Sequence, residues 1–342
     1  MGEPDPDLLP RALQILASGG SLSADHAAQA MRAVMNGDAT AGQVGGFLMA
    51  LRTKGETVEE LEGLATAALE FASLVTTPGP VLDTCGTGGD RSGTFNISTV
   101  AAIVAAGAGV RVAKHGNRAA SGRCGSADVL EELGVRIQLD AGGVERCLTE
   151  AGIGFMFAPV FHPAFGHAGP VRRELGIPTT FNFLGPLTNP ARPAAQVVGV
   201  SDERMLPLIA EVLARRGTRA TVVRGADGID ELTTTGPSRV LDVRDGRIRD
   251  GVLDPAELGI APADPSALRG GVAGESAGVA RAVLAGEPGP PRDVVLLNAG
   301  AALEVAGAAA DLAEGIGLAA ASIDEGRAAA ALERWIAISN GG

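Results

Sequence analysis

Apolar positions between residues 5 and 75 recur at helical spacing and are interrupted by glycines and by capping residues. The pattern predicts four short helices, of which the first begins at Leu8 and ends before Gly19. Helices this short are marginal on their own, so the sequence predicts a helical subdomain that packs on another surface. Capping residues mark three of the predicted starts: Ser23, Thr40 with Gln43, and Thr57 with Glu60.

The third predicted helix contains three glycines, Gly42, Gly45 and Gly46. Glycines on a helix surface allow another backbone to approach closely, which suits a packing surface. General composition is the alternative explanation, since the chain contains 49 glycines.

From residue 80 onward, short apolar runs typical of buried strands alternate with runs of helical periodicity. This alternation predicts a parallel sheet with helices on its faces. Segments 163–175 and 181–188 break the alternation, because both have a helical pattern and no strand lies between them. Asp245-Gly246 predicts the turn of a hairpin between Ser238 to Val243 and Arg247 to Ile248. The other predicted strands are Pro80 to Asp83, Val110 to Ala113, Val135 to Leu139, Gly154 to Phe157, Ala195 to Val200, Arg219 to Val223 and Val294 to Asn298.

A glycine-rich loop, Gly86-Thr87-Gly88-Gly89-Asp90, follows the first predicted strand. Ser98 or Thr99 is a suitable N-cap for the next predicted helix, Val100 to Ala108. A loop of this kind before a helix offers free backbone N–H groups to an anion. For a single such loop, a glycine-rich turn without any ligand is the alternative.

Two common nucleotide-binding motifs do not fit this loop. The dinucleotide fingerprint needs a third glycine where the chain has Arg91, and an acidic residue at the end of the next strand, where it has Lys114. A Walker-type phosphate loop needs a Gly-Lys pair, which the sequence lacks. Nicotinamide and Walker-type nucleotide binding are therefore excluded here.

Charge is distributed unevenly around the loop. The chain has 40 acidic and 28 basic residues and a net charge of −12, yet no Asp or Glu lies between residues 91 and 127. In an acidic protein, a segment without acidic residues indicates a binding site for a polyanion. A solvated basic face is the alternative. The basic residues of the segment are Arg91, Arg111, Lys114, Arg118 and Arg123.

An adjacent acidic pair, Asp230-Glu231, follows the strand predicted from Arg219 to Val223. Ligands of open parallel sheets collect at the carboxyl ends of the strands, and carboxylate oxygens suit a hard cation there. Taken alone, however, such a pair is usually solvated surface.

Composition narrows the class of protein. Apolar residues make up 46% of the chain, which supports a sizeable core. Three cysteines without metal-ligand spacing, Cys85, Cys124 and Cys147, indicate reduced thiols and a cytoplasmic location. We expect no signal peptide and no membrane span, because the first residues lack the required pattern and the longest apolar run, Val100 to Val110, is too short. The sequence contains no internal repeat and no nucleic-acid-binding signature.

Several sequence blocks, in this order along the chain, resemble the anthranilate phosphoribosyltransferase family of tryptophan biosynthesis. The resemblance extends over nearly the whole chain, and its long blocks are far more specific than one glycine loop. The blocks are Asp83 to Asp90 (DTCGTGGD), Phe95 to Thr99 (FNIST), Lys114 to Arg118 (KHGNR), Gly125 to Asp128 (GSAD), Phe181 to Pro190 (FNFLGPLTNP) and Asp230-Glu231.

The resemblance implies a nucleoside phosphorylase/phosphoribosyltransferase-like α/β fold. A small helical domain would comprise residues 1–75, with 165–192 returning to it, and a large α/β domain residues 76–164 and 193–342. The reaction would join the amine of anthranilate to 5-phosphoribosyl 1-pyrophosphate (PRPP). The resemblance further implies Mg²⁺, two ions per subunit, and a homodimer through the helical domain, with no nucleic-acid or membrane partner.

The resemblance also assigns site residues. Magnesium ligands would be Ser98, Asp230 and Glu231, and the anthranilate contacts Gly86, Asn117 and Arg172. No nucleophile or strong base is expected, although His115 would have a role in the loop near the acceptor; His26, His162 and His167 are interpreted as structural. The PRPP-binding residues would be Gly86, Gly89, Asp90, Thr94, Asn96, Ile97, Ser98, Thr99, Lys114, His115, Gly116, Asn117, Arg118, Ala119, Ala120, Ser121, Gly122 and Ser126.

The chain departs from the family pattern at Arg123, Cys124 and Phe161, where relatives often have lysine, serine and tyrosine. These changes affect details of phosphate and acceptor binding. Two alternatives remain. A pyrimidine-nucleoside phosphorylase would share the fold, but the FNIST block and Asn117 argue against it. A catalytically inactive relative that only binds ligands would have no need of Asp230-Glu231.

Overall fold

The computed structural model describes residues 7–119 and 123–342. The predicted loop residues Ala120, Ser121 and Gly122 lie outside these ranges. Four N-terminal helices form a small bundle beside a seven-stranded sheet that carries helices on both faces. The predicted fold class is therefore confirmed: a small helical domain and a large α/β domain with a mostly parallel sheet.

The N-terminal bundle consists of α1 (Leu8–Ala17), α2 (Ala24–Asn36), α3 (Ala41–Lys54) and α4 (Val58–Glu70). The predicted capping residues act as expected. Ser23 Oγ accepts a hydrogen bond from the His26 N–H, and reciprocal capping boxes start α3 and α4.

Two helices of the bundle touch through their backbones at Gly63. A Cβ on Gly63 of α4 would lie 2.0 Å from the carbonyl oxygen of Ala24 in α2, so only glycine fits there. Among the described residues, no backbone makes the predicted close approach to the glycines of α3. The atoms nearest Gly45 and Gly46 are side-chain atoms of Val171 and Leu13.

The sheet has the strand order β3-β2-β1-β4-β5-β6-β7. The first five of these strands are parallel, and β6 and β7 are antiparallel additions at one edge. The strand order reverses between β1 and β4, which creates a crevice at their carboxyl ends. The strands are β1 (Leu82–Gly86), β2 (Val112–Gly116), β3 (Ile153–Phe157), β4 (Ala195–Gly199), β5 (Arg219–Gly225), β6 (Ser238–Arg244) and β7 (Arg247–Leu253).

Alternate residues of the sheet enter two different cores. Val197 packs with the helices of the C-terminal region, whereas Val198 packs on the face shared with the N-terminal bundle. No helix in the described ranges combines the length and the apolar character needed to cross a bilayer. The remaining helices are α5 (Ile97–Gly107), α6 (Ser126–Leu133), α7 (Ala141–Glu150), α8 (Ala158–Phe161), α9 (Gly169–Leu175), α10 (Phe181–Leu184), α11 (Met205–Arg215), α12 (Ala273–Leu284), α13 (Pro290–Val305), α14 (Leu312–Asp324) and α15 (Arg327–Ser339).

The segment after β3 runs back to the N-terminal bundle. A Cβ on Gly37 at the end of α2 would lie 3.0 Å from the ring of His167, and one on Gly45 of α3 would lie 3.4 Å from Val171. The helical pattern predicted for 163–175 and 181–188 is present as α9, α10 and two 3₁₀ turns.

Two predicted strands are wrong. Residues 294–298 lie within the buried helix α13, because a short apolar run does not distinguish a strand from a buried helix. Residues 135–139 pair with no strand in the described ranges. Val135 and Ile137 are buried in the core, while the Arg136 N–H donates to Ser339 Oγ of α15 at 3.1 Å.

Some predicted boundaries are also shifted. β1 and β2 begin and end two or more residues later than predicted, so that both reach glycines, Gly86 and Gly116. Helix α5 begins at Ile97 with Asn96 at its N-cap, so the predicted cap at Ser98 or Thr99 is wrong. The predicted hairpin is present, and Asp245 and Gly246 have φ angles of 52° and 72°, which suit its two-residue turn.

Candidate active site

Two paired glycines, Gly86 and Gly199, leave space free of side chains at the carboxyl ends of β1 and β4. Gly86 and Gly199 are paired in the sheet, and the loop after β5 lies directly against them. A Cβ on Gly199 would be 1.5 Å from the Asp230 carbonyl oxygen, and one on Gly86 would be 2.3 Å from Asp230 Oδ2. Both glycines are therefore required for Asp230 to reach the crevice. Sequence reasoning assigned no role to Gly199.

The glycine-rich loop closes onto the same carboxylate. The Gly88 N–H donates to Asp230 Oδ2 at 2.7 Å. Gly88 and Gly89 have φ angles of 68° and 81°, a left-handed conformation that glycine adopts without strain. Asp90 caps the turn, since its carboxylate accepts hydrogen bonds from the N–H and the hydroxyl of Ser92.

A distant segment supports the second half of the loop. The Phe95 N–H donates to the Leu268 carbonyl at 3.0 Å, and the Gly270 N–H donates to the Gly93 carbonyl at 2.8 Å. Thr94 thereby forms an antiparallel bridge with Arg269. Sequence reasoning missed this support, because residues 254–292 showed no motif.

Asp230 and Glu231 form a carboxylate pair that is largely withdrawn from solvent. Burial raises the pKa of both groups. The charge of Asp90 raises the pKa of Asp230 further, and the charge of Asp230 raises that of Glu231. Glu231 Oε1 also accepts a hydrogen bond of 3.1 Å from the Ser98 N–H at the start of α5. Two neighbouring carboxylates with raised pKa values indicate a site that gains from a bound cation.

Lys114 is a buried residue of strand β2 close to this pair, and it does not lie in a loop. It belongs to β2 and is 1% exposed, and its Nζ donates to the Thr84 carbonyl and lies 3.4 Å from Ser98 Oγ. Its charge opposes the rise in the pKa of Glu231. Behind it, Asp83 is fully buried and accepts a hydrogen bond of 2.8 Å from Asn189. Lys114 therefore compensates buried carboxylates here.

The donor atoms near the pair fit magnesium. Ser98, Asp230 and Glu231 offer hard oxygen ligands at the carboxyl end of the sheet. Within residues 7–119 and 123–342, no group of three or more His, Cys, Asp or Glu side chains could hold a metal ion. Mg²⁺ is usually bound through one or two carboxylates, with water and substrate phosphate completing its shell.

The loop after β2 is organised by Asp128. Its carboxylate accepts hydrogen bonds from the N–H groups of Ala119 and Gly125, and it pairs with Arg118 at 2.7 Å. Arg118 also pairs with Glu131 and lies over the ring of Phe157. Arg118, assigned to PRPP, thus already has two acidic partners in this structure.

Other residues assigned to PRPP lie around the same loops. Asn96 Nδ2 donates to the Cys124 carbonyl at 3.2 Å, and the Cys124 thiol donates to Asn96 Oδ1 at 3.3 Å, so the side chain of one departure from the family pattern contacts an assigned residue. A Cβ on Gly116 would lie 2.3 Å from Ser126 Oγ, which itself donates to the Asn117 carbonyl. Ile97 and Thr99 are buried in the first turn of α5 and are not available for direct contact through their side chains.

Two buried histidines stand side by side next to the β2 loop. The rings of His115 and His162 are 5.0 Å apart, and burial lowers their pKa values to about 3 and about 4. His115 Nδ1 lies 3.2 Å from the Gly185 carbonyl and so carries the proton, while Nε2 has no hydrogen-bond partner in the part of the chain that the structure describes. Both rings are neutral at pH 7. Sequence reasoning did not predict this ring contact, and the interpretation of His162 as structural stays a prediction.

A row of rings continues from His162 towards Arg172. The ring of Phe165 lies 5.1 Å from His162 and 5.5 Å from Phe181, and the Arg172 guanidinium lies 5.4 Å from the centre of the Phe181 ring. Burial lowers the pKa of Arg172. Among the described residues, no carboxylate forms an ion pair with it, whereas Arg173 is exposed. Arg172 is thus a partly buried cation without an acidic partner.

A cavity of about 290 Å³ lies between the helical bundle and the glycine loop. Gly88, Gly89 and Arg91 line one side, and Arg52 of α3 lies on the other, where it pairs with Asp202 at 3.1 Å. Both parts of the chain therefore contribute to the cleft. Sequence reasoning missed Arg52, because only the folded chain brings α3 to the loop after β4.

Two family models match the chain. Residues 78–329 match the model described as "Glycosyl transferase family, a/b domain", and residues 10–72 match "Glycosyl transferase family, helical bundle domain".

Curated relatives are similar along their full length. The anthranilate phosphoribosyltransferase of Arthrobacter sp. (strain FB24) is 54% identical over 338 residues, which cover 97% of this chain and 96% of the relative. The enzyme of the same name from Nocardioides sp. (strain ATCC BAA-499 / JS614) is 54% identical over 333 residues, or 96% of this chain and 98% of the relative.

Solved structures are similar as well. The anthranilate phosphoribosyltransferase from Thermus thermophilus superposes with a TM-score of 0.92 at 45% identity, over 96% of this chain and 99% of that one. The Saccharomyces cerevisiae enzyme in complex with PRPP and Mg superposes with a TM-score of 0.91 at 29% identity, over 100% of both chains.

Proposed function

The chain belongs to the anthranilate phosphoribosyltransferase family, and we propose that it transfers the phosphoribosyl group of PRPP to the amine of anthranilate. The products are N-(5-phosphoribosyl)anthranilate and pyrophosphate, in the second step of tryptophan biosynthesis from chorismate. The observation that carries this proposal is the Asp230-Glu231 pair, which meets the glycine loop at the carboxyl ends of β1 and β4. The Saccharomyces cerevisiae relative binds PRPP and Mg in this fold.

In the proposed reaction, the bond from C1 to pyrophosphate breaks and a bond from C1 to the amine nitrogen forms. Charge develops at C1 as in glycoside hydrolysis, and negative charge gathers on the leaving pyrophosphate. Magnesium supplies neutralisation of that leaving group when it is bound. Asp230, Glu231 and Ser98 would hold two ions per subunit, and ionised carboxylates are favoured once a cation is near.

The glycine loop and the start of α5 would hold the donor. The backbone N–H of Gly89 and the positive end of the α5 dipole suit a polyanion, whereas the Gly88 N–H is bound to Asp230. The segment that follows β2, from Asn117 onward, would close over the ribose and phosphate. Lys114 is buried and cannot reach solvent. It would therefore affect the donor only indirectly, through its contact with Ser98.

Arg172 would bind the carboxylate of anthranilate. A guanidinium that has no acidic partner and lies over an aromatic ring can accept a carboxylate without breaking an existing ion pair. The neutral rings of His115 and His162 would lie along the way from Arg172 to the donor, near Gly86 and Asn117. An aromatic amine is already neutral at pH 7, so the chain needs no strong base.

We further propose a cytoplasmic homodimer that associates through the helical domain, with the domain boundaries given by residues 1–75 and 165–192. Two exposed apolar side chains support an interface on this part of the chain: Leu74 and Ile177. The three free cysteines are consistent with a reducing compartment.

One assay tests the proposed reaction. The protein is mixed with PRPP, anthranilate and magnesium, and the loss of anthranilate fluorescence is followed. The expected result is a loss of anthranilate fluorescence that requires the protein, PRPP and magnesium together. No loss at any magnesium concentration would overturn the proposal, and phosphate-dependent cleavage of a pyrimidine nucleoside would favour the phosphorylase alternative.

A further inference from the structure

One buried side chain, Asn298 in the middle of α13, joins the loop of the carboxylate pair to the body of the domain. The Leu232 N–H donates to Asn298 Oδ1 at 3.1 Å, and Asn298 Nδ2 donates to the Leu232 carbonyl at 2.8 Å. Asn298 is 2% exposed and Leu232 is fully buried. Leu232 directly follows Glu231 in the chain. These two bonds therefore fix the position of the backbone next to the carboxylate pair.

The amide of Asn298 is itself held in one orientation. Its Nδ2 also donates to the Val294 carbonyl one helical turn earlier, at 2.9 Å. A buried amide costs free energy unless its hydrogen bonds are made, and asparagine is a poor helix former. An apolar side chain would serve α13 better as a helix. The asparagine is therefore explained by its bonds to the loop.

Besides the bonds that the two carboxylates accept from the N–H groups of Gly88 and Ser98, contacts on both sides hold the backbone of the pair. On one side, Asp230 packs against the glycines at the ends of β1 and β4. On the other side, Leu232 is bound to Asn298 of α13. The hydrogen bonds of Asp227 to Thr233 and Thr235 hold the loop only to itself. Among the described residues, Asn298 is the side chain from outside the loop that bonds to Leu232.

We propose that Asn298 is a positioning residue for magnesium binding. It touches neither substrate nor metal, and it holds Leu232 so that Asp230 and Glu231 present their oxygens to a cation at the glycine loop. The inference rests on the proposed function, because it takes the carboxylate pair as the magnesium site.

The test compares Asn298→Ser with Ser322→Ala. A serine at 298 can still bond to the Val294 carbonyl but is too short to reach Leu232. Ser322 is the matched control, since its hydroxyl is fully buried in the same core and donates to the Val104 carbonyl at 2.9 Å, away from the loop. Three properties are measured: Mn²⁺ binding in the presence of pyrophosphate, by electron paramagnetic resonance; hydrogen exchange of the peptide 226–236; and the KM for anthranilate.

In Asn298→Ser, the Mn²⁺ concentration for half-saturation should rise about tenfold, as is typical when a residue that orients metal ligands is lost. The peptide 226–236 should exchange faster, and the KM for anthranilate should stay unchanged. Ser322→Ala should match the wild type in all three. A folded Asn298→Ser protein with wild-type Mn²⁺ binding and exchange would overturn the proposal, and so would equal losses in both variants.

Asn298→Asp provides the same comparison if the serine variant does not fold, because it keeps the acceptor for the Leu232 N–H and loses the donor to its carbonyl. The outcomes are distinct from failure of the proposed function. Wild-type protein that shows no magnesium-dependent transfer would overturn that function, whereas the exchange and Mn²⁺ measurements would still decide the role of Asn298.

Discussion

Glu231 Oε1 accepts a hydrogen bond of 3.1 Å from the backbone N–H of Ser98, which joins the loop after β5 to the first turn of α5. Negative charge at a helix N-terminus is favourable, and here the same carboxylate also adjoins Asp230. The bond places the acidic pair at the end of the glycine loop. A cation and a phosphate could therefore meet between the two segments.

Removal of the charges of this pair should abolish activity and leave the fold intact. Asp230→Asn with Glu231→Gln keeps the size of both side chains, and turnover should fall by orders of magnitude because the leaving group is no longer neutralised. Turnover in the fluorescence assay and the circular dichroism spectrum are the measurements. Asp250→Asn with Glu325→Gln, on exposed side chains, is the control. Full activity of the first double variant, or in excess chelator, would refute the metal assignment.

The same pair predicts how stability depends on pH in metal-free protein. Burial raises the pKa of both groups, so the folded state keeps their protons to higher pH than the unfolded chain does. Their contribution to the free energy of unfolding is therefore present in full below about pH 4 and is lost as the pH rises through the raised values. Thermal unfolding between pH 4 and 9 measures this loss. The loss should be absent in Asp230→Asn with Glu231→Gln; an identical profile for both proteins would contradict the prediction.

Arg172 should determine binding of the acceptor. A charge-assisted contact contributes about 1.5–3 kcal/mol, so Arg172→Ala should raise the KM for anthranilate roughly 10- to 100-fold and leave the KM for PRPP nearly unchanged. Arg173→Ala is the matched control, because Arg173 is exposed on the same helix. Steady-state kinetics with each substrate varied in turn decide the matter. A rise only in the KM for PRPP would place Arg172 in the donor site.

Gly63 should be indispensable to the helical bundle. A methyl group there would overlap the Ala24 carbonyl oxygen, so Gly63→Ala should lower the free energy of unfolding by about 1–3 kcal/mol or more. Among the described residues, no atom outside the neighbouring helix backbone lies within 4 Å of a Cβ placed on Gly317 of α14, so Gly317→Ala should be neutral or stabilising, by up to about 1 kcal/mol. Urea unfolding of both variants is the measurement. Equal stabilities would show that the bundle can shift to admit the methyl group.

The proposed homodimer should depend on the helical part of the chain. Ile177 is 47% exposed in the segment that returns to the bundle, and Ile177→Glu should weaken the dimer because a charge would be buried in the interface. Val252→Glu is the control, since Val252 is 74% exposed on the edge strand β7. Light scattering at micromolar concentration gives the mass of each protein. A wild-type monomer would exclude the dimer, and an intact Ile177→Glu dimer would place the interface elsewhere.

Local patterns predicted most of the elements, because they depend on neighbouring residues alone. The capping boxes at Thr40 and Thr57 are both formed, and the Asp245-Gly246 turn joins β6 to β7. Periodicity failed where a buried segment is apolar on all sides, as in α13, and where residues 135–139 alternate without a partner strand. In both cases the deciding partner is distant in sequence.

The sequence by itself determined the helical and α/β parts, the glycine loop, the basic segment after it and the acidic pair, since each is contiguous along the chain. Only the tertiary structure decided what these segments meet: Asp230 against Gly199, Lys114 beneath Ser98, His162 beside His115 and Asn298 against Leu232. The reason is physical. A hydrogen bond or a close packing contact depends on separation in space, and a parallel sheet with crossover helices brings strand ends from different parts of the chain to one edge.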